Sequence, residues 1–104
     1  MSRWIEAAAV AACPPGKSLE LVLEDRIIAI FHAPEGFYAL DGICPHQGGP
    51  LGKGVLTGCI VTCPWHGWQF DVRTGQHQTS PRLQQPCLPV KIEKETIYVD
   101  LATA

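Results

Sequence analysis

No apolar run in this 104-residue sequence approaches the roughly 20 residues that a membrane helix needs, so no membrane-spanning part is expected. Charge is also scarce. Eight Lys and Arg stand against ten Asp and Glu, for a formal net charge of -2. They are scattered rather than gathered into the basic stripe that phosphate binding wants, which excludes nucleic acid as a partner. Nothing sustains a helical period, and there is no internal repeat, low-complexity tract or linker. The length suits one core and leaves no room for a second domain with its own site, so a single domain over residues 1-104 is expected. Near the start, Val10-Ala11-Ala12-Cys13 after Arg3 mimics a lipoprotein cleavage box. Glu6 interrupts an apolar region already short for a signal peptide, and a cytoplasmic location is the expectation.

Short stretches rich in branched or aromatic residues alternate with turn signals, a pattern that reads as all-β. Candidate strands are residues 4-8, 18-23, 26-33, 36-41, 59-62, 69-72, 90-93 and 96-101. Glu24-Asp25, Pro34-Glu35-Gly36 and Lys94-Glu95 fall between them as tight turns. Val90 and Ile92, then Ile97, Val99 and Leu101, alternate with polar neighbours across such a turn, which makes a hairpin with one buried face. Between Asp41 and Ile60 glycines and prolines crowd in, and this part reads as loop. A second irregular, proline-bearing segment runs from Thr79 to Pro89.

Five cysteines is an odd count that argues against a disulfide framework, and in a reducing compartment clustered Cys and His point first to metal. The cluster lies between Cys44 and His66, where Lys53 is the sole charged residue. Cys44-Pro45-His46 and Cys63-Pro64-Trp65-His66 are separated by sixteen residues, and each offers one thiolate and one imidazole. The rigid Pro45 lets Cys44 and His46 leave a tight turn in nearly the same direction, and Gly67 leaves room for close backbone approach after His66. Two such turns facing each other make a four-ligand site. Zinc accepts two Cys and two His, but usually with both cysteines in one knuckle. A binuclear iron-sulfur cluster has a use for mixed knuckles, because one iron takes both cysteines and the other both histidines. Spacing favours the iron-sulfur cluster and leaves zinc as the alternative.

The stretch resembles the Rieske family. Cys44, His46, Gly48 and Leu51 match its first box, and Cys63, Pro64, His66, Gly67, Phe70, Asp71, Thr74 and Gly75 match its second. Trp4, Pro14-Pro15-Gly16, Ser80-Pro81 and the terminal hairpin extend the likeness over nearly the whole chain. The resemblance implies a Rieske-type antiparallel β-sandwich with a small cluster-binding subdomain of two loops, at about residues 42-70. It implies one 2Fe-2S cluster per chain, with Cys44 and Cys63 on the inner iron and His46 and His66 on the outer. With two ferric ions, two sulfides and two thiolates that cluster is neutral, so it accepts an electron more readily than a four-thiolate dianion.

Members in cytochrome bc complexes carry a loop-to-loop disulfide where this chain has Gly49 and Trp65. They carry hydroxyl donors where it has Trp68 and Phe70. Without those donors the potential is expected at the low end of the family range. The resemblance therefore implies a soluble, low-potential one-electron carrier that takes electrons from a reductase and gives them to a terminal oxygenase, a dioxygenase or monooxygenase. It implies no enzyme activity of its own, since no residues suggest the two-His, one-carboxylate iron site of an oxygenase. The small subunit of a nitrite-reductase-like complex is the alternative, and a structural zinc domain is a third reading. Docking is expected at the tip, through Pro45, Gln47, Pro50, Leu51, Trp65 and Pro81, where little fixed charge needs desolvating. Trp65 and Trp68 are expected to shield the cluster. Cys13, Cys59 and Cys87 are expected to be small buried or half-buried side chains, and His32 and His77 ordinary polar ones.

Overall fold

The computed structural model describes residues 2-44, 48-65, 67-80 and 82-103. Strand β3 (Arg26–Ala33) explains the architecture, because it is apolar on both faces and buried on both. Ile28 and Ile30 point into one core with Cys13, Ala39, Leu88, Ile97, Val99 and Leu101. Ala29, Phe31 and Ala33 point into the other, with Leu40, Cys44, Leu51, Val61, Cys63, Phe70 and Val72. A strand that alternates sides between two cores reads as a continuous apolar run, and this is the middle layer of the molecule. Each large aliphatic side chain buried there contributes about 1.5–3 kcal/mol.

The sheet containing β3 has the order β2-β3-β4-β8, with β2 at Ser18–Leu23, β4 at Gly36–Asp41 and β8 at Cys87–Leu88. On one side lies a sheet of order β1-β10-β9, formed by Trp4–Ala9, Thr96–Asp100 and Val90–Glu93. All pairings are antiparallel. On the other side is a small sheet of order β5-β6-β7, formed by Val55–Thr57, Ile60–Thr62 and Gln69–Asp71. No helix among the described residues is long and apolar enough to cross a membrane.

The all-β expectation holds, with two additions. Residues 55-57 were expected as loop, yet they form β5 and pair with β6 from Val55↔Thr62 to Thr57↔Ile60. Gly54 and Gly58 at its ends give the segment a loop-like composition, and only the partner strand supplies what local propensity lacks. β8 arises the same way inside the proline-rich stretch, where Ala39 and Leu40 of β4 pair with Leu88 and Cys87. The cluster-binding region thus has a sheet of its own beneath the loops.

The two-residue turns are real and carry strain. Glu24 and Asp25 have φ of 50° and 66°, and Lys94 and Glu95 have 50° and 62°. Such hairpins favour Asn-Gly, which adopts positive φ at little cost. Replacing Lys94-Glu95 by Asn-Gly should stabilise the fold by about 1–2 kcal/mol, read as a higher urea midpoint at unchanged slope.

Candidate functional site

The first ligand loop is closed by its own backbone. β4 ends at Asp41, and the Leu51 N–H donates to the Gly42 carbonyl at 3.0 Å. Inside that closure the Cys44 N–H donates to Gly49 O at 2.9 Å and the Gly48 N–H to Cys44 O at 3.0 Å. Gly48 has φ of +74°, a turn conformation that a side chain resists. The second loop joins β6 to β7. It is closed by the Cys63 N–H donating to Trp68 O at 2.7 Å, with Gly67 at φ +73°. Both thiols are 1% exposed and belong to one core cluster with Phe70 and Leu51.

Gly49 is where the loops meet. A Cβ there would lie 2.8 Å from Cys63 Sγ and 3.0 Å from Trp65 Cβ. The two positions that carry the respiratory disulfide therefore face each other in this chain. The absent side chain at Gly49 lets the first loop's backbone come closer to the Cys63 sulfur and the Trp65 indole than any Cβ would allow. Two soft sulfur donors shielded from water, on two closed loops that approach each other at Gly49, fit the thiolate side of a 2Fe-2S cluster. When bound, a cluster of this kind takes up and returns a single electron. His46 and His66 lie outside the described residues, as do Pro45, Gln47 and Pro81.

The second half of the second box builds a turn. The Asp71 carbonyl accepts the Gly75 N–H at 2.7 Å, and the Asp71 carboxylate accepts the Arg73 N–H at 2.9 Å. The Arg73 guanidinium also donates to that carboxylate at 2.8 Å, and this hydrogen bond holds the Asp71 pKa below its ordinary value. Thr74 Oγ1 accepts the Gln76 N–H at 3.2 Å. Gly75, at φ +79°, lets the returning chain approach, and its carbonyl accepts the Gln85 N–H at 2.7 Å. Asp71, Thr74 and Gly75 are thus the scaffold that brings a third segment, residues 76-86, against the ligand loops.

Two residues of that segment were not identified from sequence. Gln85 is buried, and its Nε2 donates to the carbonyls of Asp41 and Ile43, each at 2.6 Å, so it braces the residue before Cys44. A Gln in a Gln-Gln-Pro run offers no local sign of this. His77 was expected to be an ordinary polar side chain but is buried against Trp68 and Phe70. His32 is half-buried, stacks on Phe37 at 4.0 Å and hydrogen-bonds through Nδ1 to the Cys13 carbonyl at 2.9 Å.

Other expectations divide. Trp65 is 49% exposed. Trp68 is half-buried against the core that holds both thiols, as shielding requires. Leu51 is 0% exposed, so it is part of that core rather than of a docking tip; the tight turn Leu51–Lys53 aims it inward. Ile43, next to Cys44, is the exposed apolar residue instead. Cys13 is buried, and burial pushes its thiol pKa up. Cys59 is half-buried, and its thiol points at Glu35 Oε1 at 3.5 Å. Cys87 departs from expectation and is exposed, because alternation along β8 turns Leu88 into the core and Cys87 out.

Comparison with known proteins agrees with this geometry. Residues 3–96 match the family model of the Rieske [2Fe-2S] domain. The ferredoxin component of the naphthalene 1,2-dioxygenase system of Pseudomonas aeruginosa is 34% identical over 101 residues, covering 96% of this chain and 97% of the relative. Among solved structures, the complex of reduced oxygenase and oxidised ferredoxin in carbazole 1,9a-dioxygenase contains a similar chain. That chain is 26% identical with a TM-score of 0.87, and the match covers 97% of this chain and 95% of that one. A putative NADH-dependent nitrite reductase small subunit from Mycobacterium tuberculosis shares the fold, at TM-score 0.89 and 21% identity over 100% of this chain and 99% of that one. The buried thiol pair, the paired boxes and the near full-length match lead to one conclusion: the chain belongs to the Rieske [2Fe-2S] domain family, and its cofactor is one 2Fe-2S cluster.

Proposed function

We propose that this chain is a soluble one-electron carrier that takes electrons from a reductase and delivers them to a terminal oxygenase, with no catalytic activity of its own. Cys44 and Cys63 hold the inner iron, and His46 and His66 hold the outer one. The whole of residues 1-104 acts as a single Rieske domain whose ligand loops lie at about 42-70, and it works in the cytoplasm without nucleic acid or membrane. One observation carries the reading: both box thiols are withdrawn from water into one core, on loops that meet at Gly49. The likeness to dioxygenase ferredoxin components along nearly the full length supports the choice of acceptor.

Docking falls on the exposed apolar residues beside the boxes, Ile43 and Trp65, with half-buried Pro50 between the loops. Such a surface loses water on transient contact at little electrostatic cost. The test is rapid mixing of the reduced protein with an oxidised terminal oxygenase of the naphthalene type. Reoxidation of one electron per chain is expected, slowed in Trp65→Glu. Absence of any electron transfer, with stable co-purification of a large nitrite-reducing subunit instead, would contradict it.

A low potential follows from the missing donors. Phe70 is fully buried in the core that contains both thiols, so a hydroxyl placed there shares the dry surroundings of the sulfurs. Phe70→Tyr should raise the midpoint potential by about 40 mV, the equivalent of roughly 1 kcal/mol for one hydrogen bond that strengthens on reduction. Spectroelectrochemical titration reads this directly, and a lowered potential would refute the argument.

A further inference from the structure

His77 is held by its backbone on both sides. It forms an isolated bridge with Phe70 of β7, and its N–H donates to Leu83 O at 3.0 Å. The Gln78 N–H donates to Gln69 O at 2.9 Å, and the Leu83 N–H to Ser80 O at 3.0 Å. Residues 77-80 therefore leave the edge of β7 and residues 82-83 return to it, with the imidazole against the backbone of Thr79 and Ser80. The side chain is 8% exposed. Nδ1 accepts the Thr79 N–H at 3.1 Å and the Ser80 N–H at 3.0 Å.

A ring nitrogen that accepts two N–H groups carries no proton, so the imidazole is neutral with its proton on Nε2. Those two amides have left the ladder of β7, and the ring gives them the acceptor that buried backbone needs. Nε2 itself is buried and has no hydrogen-bond partner among the described residues. The ring stands nearly perpendicular to Trp68, at 4.8 Å and 87°, and to Phe70, at 5.1 Å and 88°. Perpendicular aromatic contacts of this kind are favourable and fix the ring's orientation. Between the two segments runs a cavity of about 130 Å³ lined by Gly67, Trp68, Gln69, His77, Gln78 and Thr79. Gly67 and Trp68 of the second ligand loop form one wall of it, and His77, Gln78 and Thr79 form the other.

We infer that His77 is a positioning residue: its neutral ring, fixed against Trp68 and Phe70, latches the Thr79-Ser80 backbone and keeps the bend at residues 77-80 closed over the flank of the second ligand loop. The effect on the cluster rests on the function proposed above, whereas the latch does not. A closed bend limits water near the cluster and so holds the potential down, because solvent exposure favours the more negative reduced state.

Two variants of the cluster-loaded protein separate the latch from simple packing. His77→Phe keeps an aromatic edge and removes the acceptor, and His77→Asn keeps an acceptor close to the place of Nδ1 and removes the ring. Hydrogen exchange at Thr79 and Ser80 should be about tenfold or more faster in His77→Phe and stay within about threefold of wild type in His77→Asn. The midpoint potential should rise, and the cluster half-life in air shorten, in His77→Phe alone. Equal exchange in His77→Phe and wild type overturns the inference. So does fast exchange in His77→Asn, which decides the matter even if His77→Phe does not fold. An unchanged potential and half-life in a fast-exchanging His77→Phe overturns it too. Slow exchange at Thr79 and Ser80 in a wild-type protein without a cluster spectrum would instead refute the functional reading and uphold the latch.

Discussion

Cys63→Ala is expected to give a colourless chain without iron or acid-labile sulfide, whereas Cys59→Ala keeps both. The two residues lie in the same segment and pack against the same core, but Cys63 is buried against Gly49 of the first loop and Cys59 turns toward Glu35. Removing one thiolate leaves the inner iron with a single protein ligand. A cluster that ties residue 44 to residue 63 closes a loop much as a disulfide does, so its loss should cost about 3 kcal/mol relative to the loaded protein. The core between the β1-β10-β9 sheet and β3 contains neither ligand and should stay folded. Amide exchange would then rise in residues 42-70 and remain slow in β3 and β10. Wild-type iron content in Cys63→Ala would exclude this residue from the ligand set.

The second large effect is expected at a glycine that touches no ligand. A Cβ on Gly75 would lie 2.0 Å from Gln85 O and 3.2 Å from Cys87 Sγ, at a φ of +79°. Backbone cannot yield as a flexible side chain can, so Gly75→Ala must displace the segment carrying Gln85 and with it the brace to Asp41 and Ile43. We expect a loss of about 3 kcal/mol or more, seen as a fall in Tm of roughly 12 °C or more, together with weaker cluster retention. Gly58→Ala is the control. It has φ of +61° but open space around the new methyl, and should lose only about 1 kcal/mol from the left-handed backbone. Equal losses at the two positions would show that conformational strain, not close approach, is what Gly75 serves.

These two residues illustrate what a sequence discloses. The candidate ligand cysteines stand out in the sequence because the possible donors sit within three residues of each other in each box, and the structure brings both thiols into one core. Strands β2, β3 and β4 are legible because two-residue turns punctuate long branched runs, and their ranges match expectation end to end. β5 and β8 are not, since each is short, bordered by glycine or proline, and exists only through a partner strand. Leu51 belongs to the first box and was placed at the tip for that reason, yet its motif position is a packing position. Gln85 and His77 do their work through groups their neighbours in sequence do not announce. Gln85 reaches carbonyls 44 and 42 residues away, and His77 depends on a bend and on two aromatic rings of another segment. Motif spacing marks the ligands, and only the assembled loops reveal the braces.

The most direct measurement is electron paramagnetic resonance of the dithionite-reduced protein, with pulsed detection of nuclei coupled to the unpaired electron. One spin per chain is predicted, strongly coupled to two nitrogens, as the ligation proposed above, with His46 and His66 on the outer iron, requires. A spin coupled to no nitrogen, or a chain that binds zinc and takes up no electron, would contradict the account.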